Sequence, residues 1–363
     1  MTEMKITPYL KLMIEKDASD LFFTPGAPAK MKLQGKMANV GQDVLSSEKV
    51  TDFVLDTMTQ PQRDYFAKNL EIDFAIFLGE EGRFRVNAFT QRGQSAMVLR
   101  YIKADVPRLE DLMVPPVLKE LIMHRRGIVL MVGGTGSGKS TTLAAMLNHR
   151  NENASGHILT IEDPIEFVHP HKKSLFNQRE VGPDTHSYHK ALKSALREAP
   201  DVVLIGEIRD RETMEAALEL AGTGHLAVST LHANNAYQAL NRVVNMFPAT
   251  LHRQLFMDLS LYLRAILSQR LVKTRDGKRR AAVEVMLNTP HVAELILNGQ
   301  FDAVKTALEE SSDSGMQSFD NALLALYKTE VITLEEALSH ADSRANLEAR
   351  VHFDDHMDRF GSL

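Results

Sequence analysis

The chain contains no cysteine, which excludes disulfides, thiol nucleophiles and any zinc site built on thiolates, and fits a reducing compartment. It has no apolar run near the ~20 residues that a membrane span requires. Residues 1–10 also lack the continuous apolar core of a signal peptide, so a cytoplasmic protein is expected, docked at most on a membrane complex. A large excess of charge of one sign is missing too: Lys and Arg number 42 against 47 Asp and Glu, a formal net charge of −5. That balance argues against a chain whose main task is to grip nucleic acid, although a local basic patch stays open. No long repeat or low-complexity tail interrupts the chain, and neither His225 nor His232 has a partner at metal-ligand spacing. What is present is 363 residues with 44% hydrophobic content, enough for two or three domains with real cores.

One stretch organises the rest. Gly133-Gly134-Thr135-Gly136-Ser137-Gly138-Lys139-Ser140 fits the phosphate-loop pattern G-x-x-x-x-G-K-[ST] at every fixed position. An apolar run at 127–132 precedes it, suited to a buried parallel strand, and Thr141 opens a helical stretch after it. The glycines let the backbone curl and turn successive N–H groups inward, while the following helix presents its positive end to phosphate. Lys139 is expected against the β- and γ-phosphates of ATP, and the Ser140 hydroxyl as a ligand of Mg²⁺. A flexible glycine turn is the bland alternative.

The first hundred residues read as an α+β module: a short helix around Leu10, Met13 and Ile14, a strand at 20–24, a Pro25-Gly26 turn, a strand at 30–33 and a Gln34-Gly35 turn. Helices at 50–58 and 61–69 and antiparallel strands at 71–78, 82–91 and 95–102 follow, with breaks at 79–81 and at Arg92-Gly93. Pro107, Pro115 and Pro116 mark residues 104–116 as the linker region, with the domain boundary near 107. Beyond it, apolar runs at 158–161, 202–205 and 226–228 alternate with helical stretches at 187–197 and 212–221, the spacing of a doubly wound parallel sheet and hence an α/β fold. Leu251, Leu255, Leu259, Leu263, Ile266 and Leu267 share one helical face, so helix is expected there. Asp276-Gly277 turns a hairpin, residues 291–341 read as a helical bundle, and 309–315 as a polar loop.

Several residues have types and positions suited to chemistry. Glu207 ends the apolar run 202–205 after Gly206, where a phosphate-loop NTPase places a carboxylate that orients hydrated Mg²⁺; the common motif has Asp at the position of Gly206, and a simple ion pair with Arg209 is the alternative. Glu162, Asp163 and Glu166 lie just beyond another sheet strand, suited to positioning an attacking water, or else form a solvated acidic turn. His225 and His232 frame the strand 226–231; His232, at its end, is the better γ-phosphate sensor, and His225 is either catalytic or structural. Arg83, Arg85, Arg92 and Arg100 are either surface charges or, in a ring of subunits, arginines that reach a neighbour's γ-phosphate. Lys273, Arg275, Lys278, Arg279 and Arg280 make a basic hairpin, either solvated or a docking surface.

Taken together, Ala18-Ser19-Asp20-Leu21, Arg83-Phe84-Arg85-Val86-Asn87, the phosphate loop, Glu162-Asp163-Pro164-Ile165-Glu166, Asn177-Gln178-Arg179-Glu180-Val181-Gly182, Leu204-Ile205-Gly206-Glu207-Ile208-Arg209-Asp210, Gly224-His225 and Thr230-Leu231-His232 resemble the PilT/PilU retraction ATPases of type IV pili, within the secretion ATPase superfamily. The resemblance covers nearly the whole chain. It implies a PAS-like N-terminal domain (1–106), a linker (107–117), a RecA-like ATPase domain (118–288) and a helical C-terminal region (289–363). It further implies a homo-hexameric motor for pilus retraction and twitching motility, bound peripherally at the inner membrane to a PilC-like platform protein, with no nucleic acid partner. The catalytic glutamate of the family's acidic box matches Glu166, with Glu162 beside it, and Gly206 is normal there. Among the arginines, Arg85 and Arg100 are carried forward as catalytic candidates. Related extension and secretion motors carry a four-cysteine motif and a longer N-terminus, which this chain lacks. His291-Val292-Ala293-Glu294-Leu295-Ile296-Leu297-Asn298 departs from the PilT pattern Ala-Ile-Arg-Asn-Leu-Ile-Arg-Glu, and Ala341-Asp342-Ser343-Arg344-Ala345-Asn346-Leu347 looks more like PilU, whose role is accessory to a paralogous PilT motor.

Overall fold

The computed structural model describes residues 4–33, 35–79, 82–102, 106–311 and 315–360, with side chains as far as 353. Gln34, Glu80, Glu81, Ala104, and Ser312, Asp313 and Ser314 of the expected turns, linker and polar loop lie outside the described residues. The chain divides into two compact units, Met1–Asp105 with Glu166–Val168, and Val106–Ile165 with His169–Leu363.

The first unit runs α1 (Thr7–Glu15), β1 (Asp20–Phe23), β2 (Ala29–Leu33), β3 (Lys36–Val40), α2 (Ser47–Asp56), α3 (Gln60–Asn69), β4 (Glu71–Leu78), β5 (Gly82–Gln91) and β6 (Gln94–Ile102). Its strands form one antiparallel sheet in the order β3-β2-β1-β6-β5-β4. Alternation along β5 buries Phe84, Val86 and Ala88 against Leu10 and Met13 of α1 and Val50, Phe53 and Val54 of α2. Ser46 caps α2 by accepting from the Lys49 N–H, and Thr59 with Gln62 forms a capping box at α3. Strand β3 was not expected: Lys36-Met37-Ala38-Asn39-Val40 is a mostly exposed edge strand with no buried alternation to reveal it.

The second unit runs α4 (Leu109–Leu112), α5 (Val117–Ile122), β7 (Gly127–Val132), α6 (Lys139–Asn153), β8 (Gly156–Glu162), β9 (Ser174–Glu180), α7 (Tyr188–Ala195), β10 (Val202–Ile205), α8 (Arg211–Gly222), β11 (Leu226–Leu231), α9 (Ala236–Asn245), α10 (His252–Tyr262), β12 (Leu263–Lys273), β13 (Arg279–Leu287), α11 (Pro290–Leu297), α12 (Phe301–Glu309), α13 (Phe319–Lys328), α14 (Leu334–His340) and α15 (Arg344–Phe360). The sheet order is β13-β12-β7-β11-β10-β8-β9, parallel except for β13. Both faces are covered, as a parallel sheet requires. Ile128, Leu130 and Val132 of β7 join the core with Met214, Ala217 and Leu240 from α8 and α9, while Val129 and Met131 pack with Leu118, Leu143 and Met146 from α5 and α6.

The helical face expected to run from Leu251 to Leu267 is corrected. Helix α10 stops at Tyr262, Leu263 turns to extended backbone (φ −60°, ψ 137°), and Ile266 and Leu267 lie in β12, beside β7. A short apolar run fits either period, and the pairing slot next to β7 decides for strand. The Asp276-Gly277 turn does join β12 to β13. Within the segment expected as linker, α4 buries Leu109 in the second unit's core.

Candidate active site

The phosphate loop follows β7, and its neighbours arrive by register. Leu231 of β11 pairs with Val132 of β7, so His232 and Gly133 leave the sheet side by side. Ile205 of β10 pairs with Ser229 on one side and Ile161 on the other, so Glu207 and Glu162 emerge at the same C-terminal edge. That edge is where ligands bind in open α/β sheets.

Within the loop the glycines answer specific constraints. Gly133 has φ +151°, and a Cβ there would come within 2.6 Å of both the Gln269 carbonyl oxygen and Ser137 Oγ. Gly138, the N-cap of α6, has φ +85°, and a Cβ there would lie 2.8 Å from Gln269 Nε2. Lys139 Nζ donates to the carbonyls of Gly133 (2.8 Å) and Gly134 (2.9 Å), which holds the ammonium against the loop. Helices α7, α8, α9 and α13 are each capped by a side-chain oxygen, from Ser187, Asp210, Asn235 and Ser318. Helix α6 has no side-chain cap, so its leading N–H groups at Lys139, Ser140 and Thr141 are disposed to take an anion. With Gly134, Gly136 and Thr135 completing the turn, a triphosphate fits the donor set.

Glu207 lies mostly buried, its side chain 15% exposed, between two nitrogen groups. Arg209 Nε donates to Oε2 at 2.7 Å, and His232 Nε2 stands 3.3 Å from Oε1. The bond to Glu207 raises the Arg209 guanidinium above its ordinary value. Thr230 Oγ1 donates to the Gly206 carbonyl (2.6 Å), and the Ile208 N–H to the Thr230 carbonyl, which fixes the backbone on both sides of Glu207. The absence of a side chain at 206 has a steric cause. A Cβ there would lie 2.6 Å from the Tyr188 hydroxyl and 3.1 Å from the Ile161 carbonyl. Burial first, then the nearby negative charge of Asp163, pushes the Tyr188 phenol well above its ordinary value, so it stays neutral.

The acidic stretch is shaped by β9, which the residue pattern did not reveal because five of its seven side chains are polar. Glu162 Oε1 accepts from Thr160 Oγ1 (2.6 Å) and Gln178 Nε2 (3.1 Å). Glu180 accepts from the Ile165 N–H, and Gln178 from the His169 N–H. These side chains come from the 177–182 stretch and pin both ends of the turn. Glu166 itself is exposed, and among the described residues no hydrogen bond engages its carboxylate.

The other candidates separate. His225 stands just before β11, at the edge of the sheet opposite the phosphate loop, and its Nδ1 lies 3.1 Å from the Leu220 carbonyl and 3.1 Å from Thr223 Oγ1, a setting that suits the structural alternative. Arg85 and Arg100 face each other across β5 and β6 in the first unit. Arg85 lies 3.5 Å from Asp73, and Arg100 Nε donates to the buried Asp20 at 2.8 Å, with Ser19 Oγ on the other carboxylate oxygen. The basic hairpin is partly committed: the Arg275 N–H donates to the Val331 carbonyl, Arg275 Nε to the Ile332 carbonyl, and Arg280 bonds Met113. Gln269, outside every motif, bonds the phosphate loop with Nε2 and helix α6 with Oε1. The residue pattern gave no signal for it, because its place depends on β12 pairing with β7.

Comparison with known proteins gives a consistent result. A family model described as Type II/IV secretion system protein matches residues 2–347. The chain is 52% identical over 345 residues to the type IV pilus ATPase PilU of Pseudomonas aeruginosa, covering 95% of this chain and 90% of that one. It is 42% identical over 338 residues to the type IV pilus retraction ATPase PilT of the same organism, covering 93% and 98%. Among solved structures it resembles the pilus retraction motor PilT with bound ADP, with a TM-score of 0.89 and 39% identity over 96% of this chain and 100% of that one.

Proposed function

The chain belongs to the type II/IV secretion system protein family, and from that we propose that it is an ATP-hydrolysing motor that powers or assists type IV pilus retraction, and hence twitching motility. The observation that carries this reading is the match along nearly the full length of relatives named as pilus ATPases, joined to a phosphate loop whose uncapped helix and Glu207 meet at one sheet edge.

In this reading the N–H groups of Gly134, Thr135, Gly136, Ser137, Gly138, Lys139, Ser140 and Thr141 bind the triphosphate, and the Lys139 ammonium moves from loop carbonyls to the β- and γ-phosphate oxygens. Bound Mg²⁺ would supply charge neutralisation there. Ser140 would hold it directly and Glu207 through its waters, a set that suits Mg²⁺, which takes few protein ligands beside substrate phosphates. Among the described residues no group of three His, Asp or Glu side chains forms a separate metal cage. Glu166 acts as the base that orients the attacking water, with Glu162 beside it, and His232 reports the γ-phosphate to Glu207. Arg85 and Arg100 neutralise transition-state charge on a neighbouring subunit's nucleotide.

The finer assembly follows from the same reading: a homo-hexamer in the cytoplasm, peripheral at the inner membrane and docked on a PilC-like platform protein. Among the described residues no helix is long and apolar enough to cross a membrane. The proposed organisation is 1–106 PAS-like, 107–117 linker, 118–288 RecA-like and 289–363 helical. A second reading, an accessory motor working beside a paralogous PilT, is favoured by the higher identity to PilU and by the departure of residues 291–298 from the PilT pattern.

The test is retraction in cells whose own copy is replaced by Lys139→Ala, with and without the paralogous motor. Loss of retraction force or twitching in the variant supports the motor. Full retraction by the variant in both backgrounds would reject it in favour of a structural ring.

A further inference from the structure

We infer that Gln269 is the positioning residue that sets nucleotide affinity, by clamping the phosphate-binding segment of the loop from its inner side. This rests on the phosphate-loop reading above and adds to it a residue outside the motif, 130 positions further along the chain than Lys139.

Gln269 lies on β12, one residue past Ser268, whose partner across the sheet is Val132. It therefore stands beside the first residue of the loop, and its own carbonyl oxygen approaches Gly133 too closely to admit a Cβ. The side chain is 2% exposed, and a buried amide needs partners for both of its ends. Both partners belong to the loop and its helix. Nε2 donates to the Ser137 carbonyl at 2.8 Å, and Oε1 accepts from Thr142 Oγ1 at 2.8 Å. Thr142 is itself 2% exposed, so that bond is also shielded from water.

Ser137 and Thr142 bracket Gly138, Lys139, Ser140 and Thr141, the segment that carries the phosphate-binding ammonium, the metal-binding hydroxyl and the uncapped helix N–H groups. One side chain thus ties both ends of that segment to the sheet. The amide also fills the space that a side chain at 138 would need, since Nε2 lies 2.8 Å from a Cβ placed there. With the Ser137 carbonyl turned to Gln269, the Gly138 N–H of the same planar peptide unit is turned the opposite way before any nucleotide arrives. Preorganised donors bind more tightly because their ordering is not charged against binding.

The experiment compares wild type with Gln269→Leu, Gln269→Glu and Thr142→Val, reading ATP KM and kcat, the Kd of a fluorescent ADP and the melting temperature. Gln269→Glu keeps the size and the acceptor for Thr142 but sets a carboxylate against the Ser137 carbonyl, so it carries the test if Gln269→Leu fails to fold. The expected result is a weakening of ADP binding and a rise in KM of about tenfold in the Gln269 variants, the scale of losing a buried polar pair, with kcat changing less. Thr142→Val should weaken binding by a smaller factor, and combining it with Gln269→Leu should add nothing, because its bond ends on Gln269. Lowered melting temperature with KM and ADP affinity unchanged, well below the transition, would overturn the inference and leave Gln269 a core residue. If the wild-type protein itself binds no ADP, the phosphate-loop reading fails first, and the clamp with it.

Discussion

Nε2 of His232 stands 3.3 Å from Oε1 of Glu207, and the two residues leave neighbouring strands of one sheet, β11 and β10. Glu207's other oxygen is held by Arg209 at 2.7 Å, so the carboxylate is fixed from two sides. Any movement of His232 is therefore felt by a carboxylate with little freedom of its own.

Replacing His232 with Ala should lower kcat by roughly tenfold or more while nucleotide binding changes little, because the interaction matters mainly as charge develops. Single-turnover hydrolysis beside fluorescent-ATP titration measures both. Equal kcat in variant and wild type would remove His232 from the site.

Gly206→Ala places a methyl group 2.6 Å from the Tyr188 hydroxyl. The overpacking should cost about 1–3 kcal/mol and shift Glu207, lowering both melting temperature and turnover. Tyr188→Phe in the same chain should recover much of each loss by removing the clashing oxygen. No recovery in the double variant would place the strain at the Ile161 carbonyl instead.

Glu166→Gln should bind ATP at near wild-type affinity yet hydrolyse it about a hundredfold more slowly, the scale of losing a general base. Trapped unhydrolysed ATP, counted after filtration, is the readout. Turnover at the wild-type rate would move the role to Glu162.

Much of this site was legible because its residues sit in local motifs: the phosphate loop, Glu207 after an apolar strand, and His232 at a strand end all depend on a few consecutive residues. What escaped depends on residues far apart. Strand β9 is polar at five of its seven residues, and its Gln178 and Glu180 acquire meaning only when they reach Glu162 and the Ile165 N–H. Gln269 reads as an ordinary polar residue until β12 is laid beside β7. Leu263, Ile266 and Leu267 fit a helix by period, and pairing made them strand. The sequence already favours His232 as the sensor and leaves His225 open between a catalytic and a structural role; the direction of β11 sends the two to opposite edges of the sheet.

Glu284 supplies a pH prediction. It is 3% exposed on β13, accepts from the Ala236 N–H and from Ser268 Oγ, and burial pushes it up to about 7. A carboxyl whose folded value exceeds its unfolded one holds its proton longer in the native state, so stability falls as pH rises between about 4.5 and 7. Glu284→Gln keeps an acceptor for both donors without the charge. Its melting temperature relative to wild type should therefore rise from pH 5 to pH 8, measured in buffers of matched ionic strength. A constant difference across that range would show that Glu284 titrates as an ordinary carboxylate.

The proposed activity comes down to hydrolysis, at this sheet edge, of nucleotide held by the loop at Lys139. Its most direct test is steady-state phosphate release by the purified full-length protein with Mg-ATP, beside Lys139→Ala at equal concentration. Saturable, Mg²⁺-dependent release by wild type and none above background in the variant is the predicted result; equal release by the two proteins, or none by either while the wild type remains folded and assembled, would contradict it.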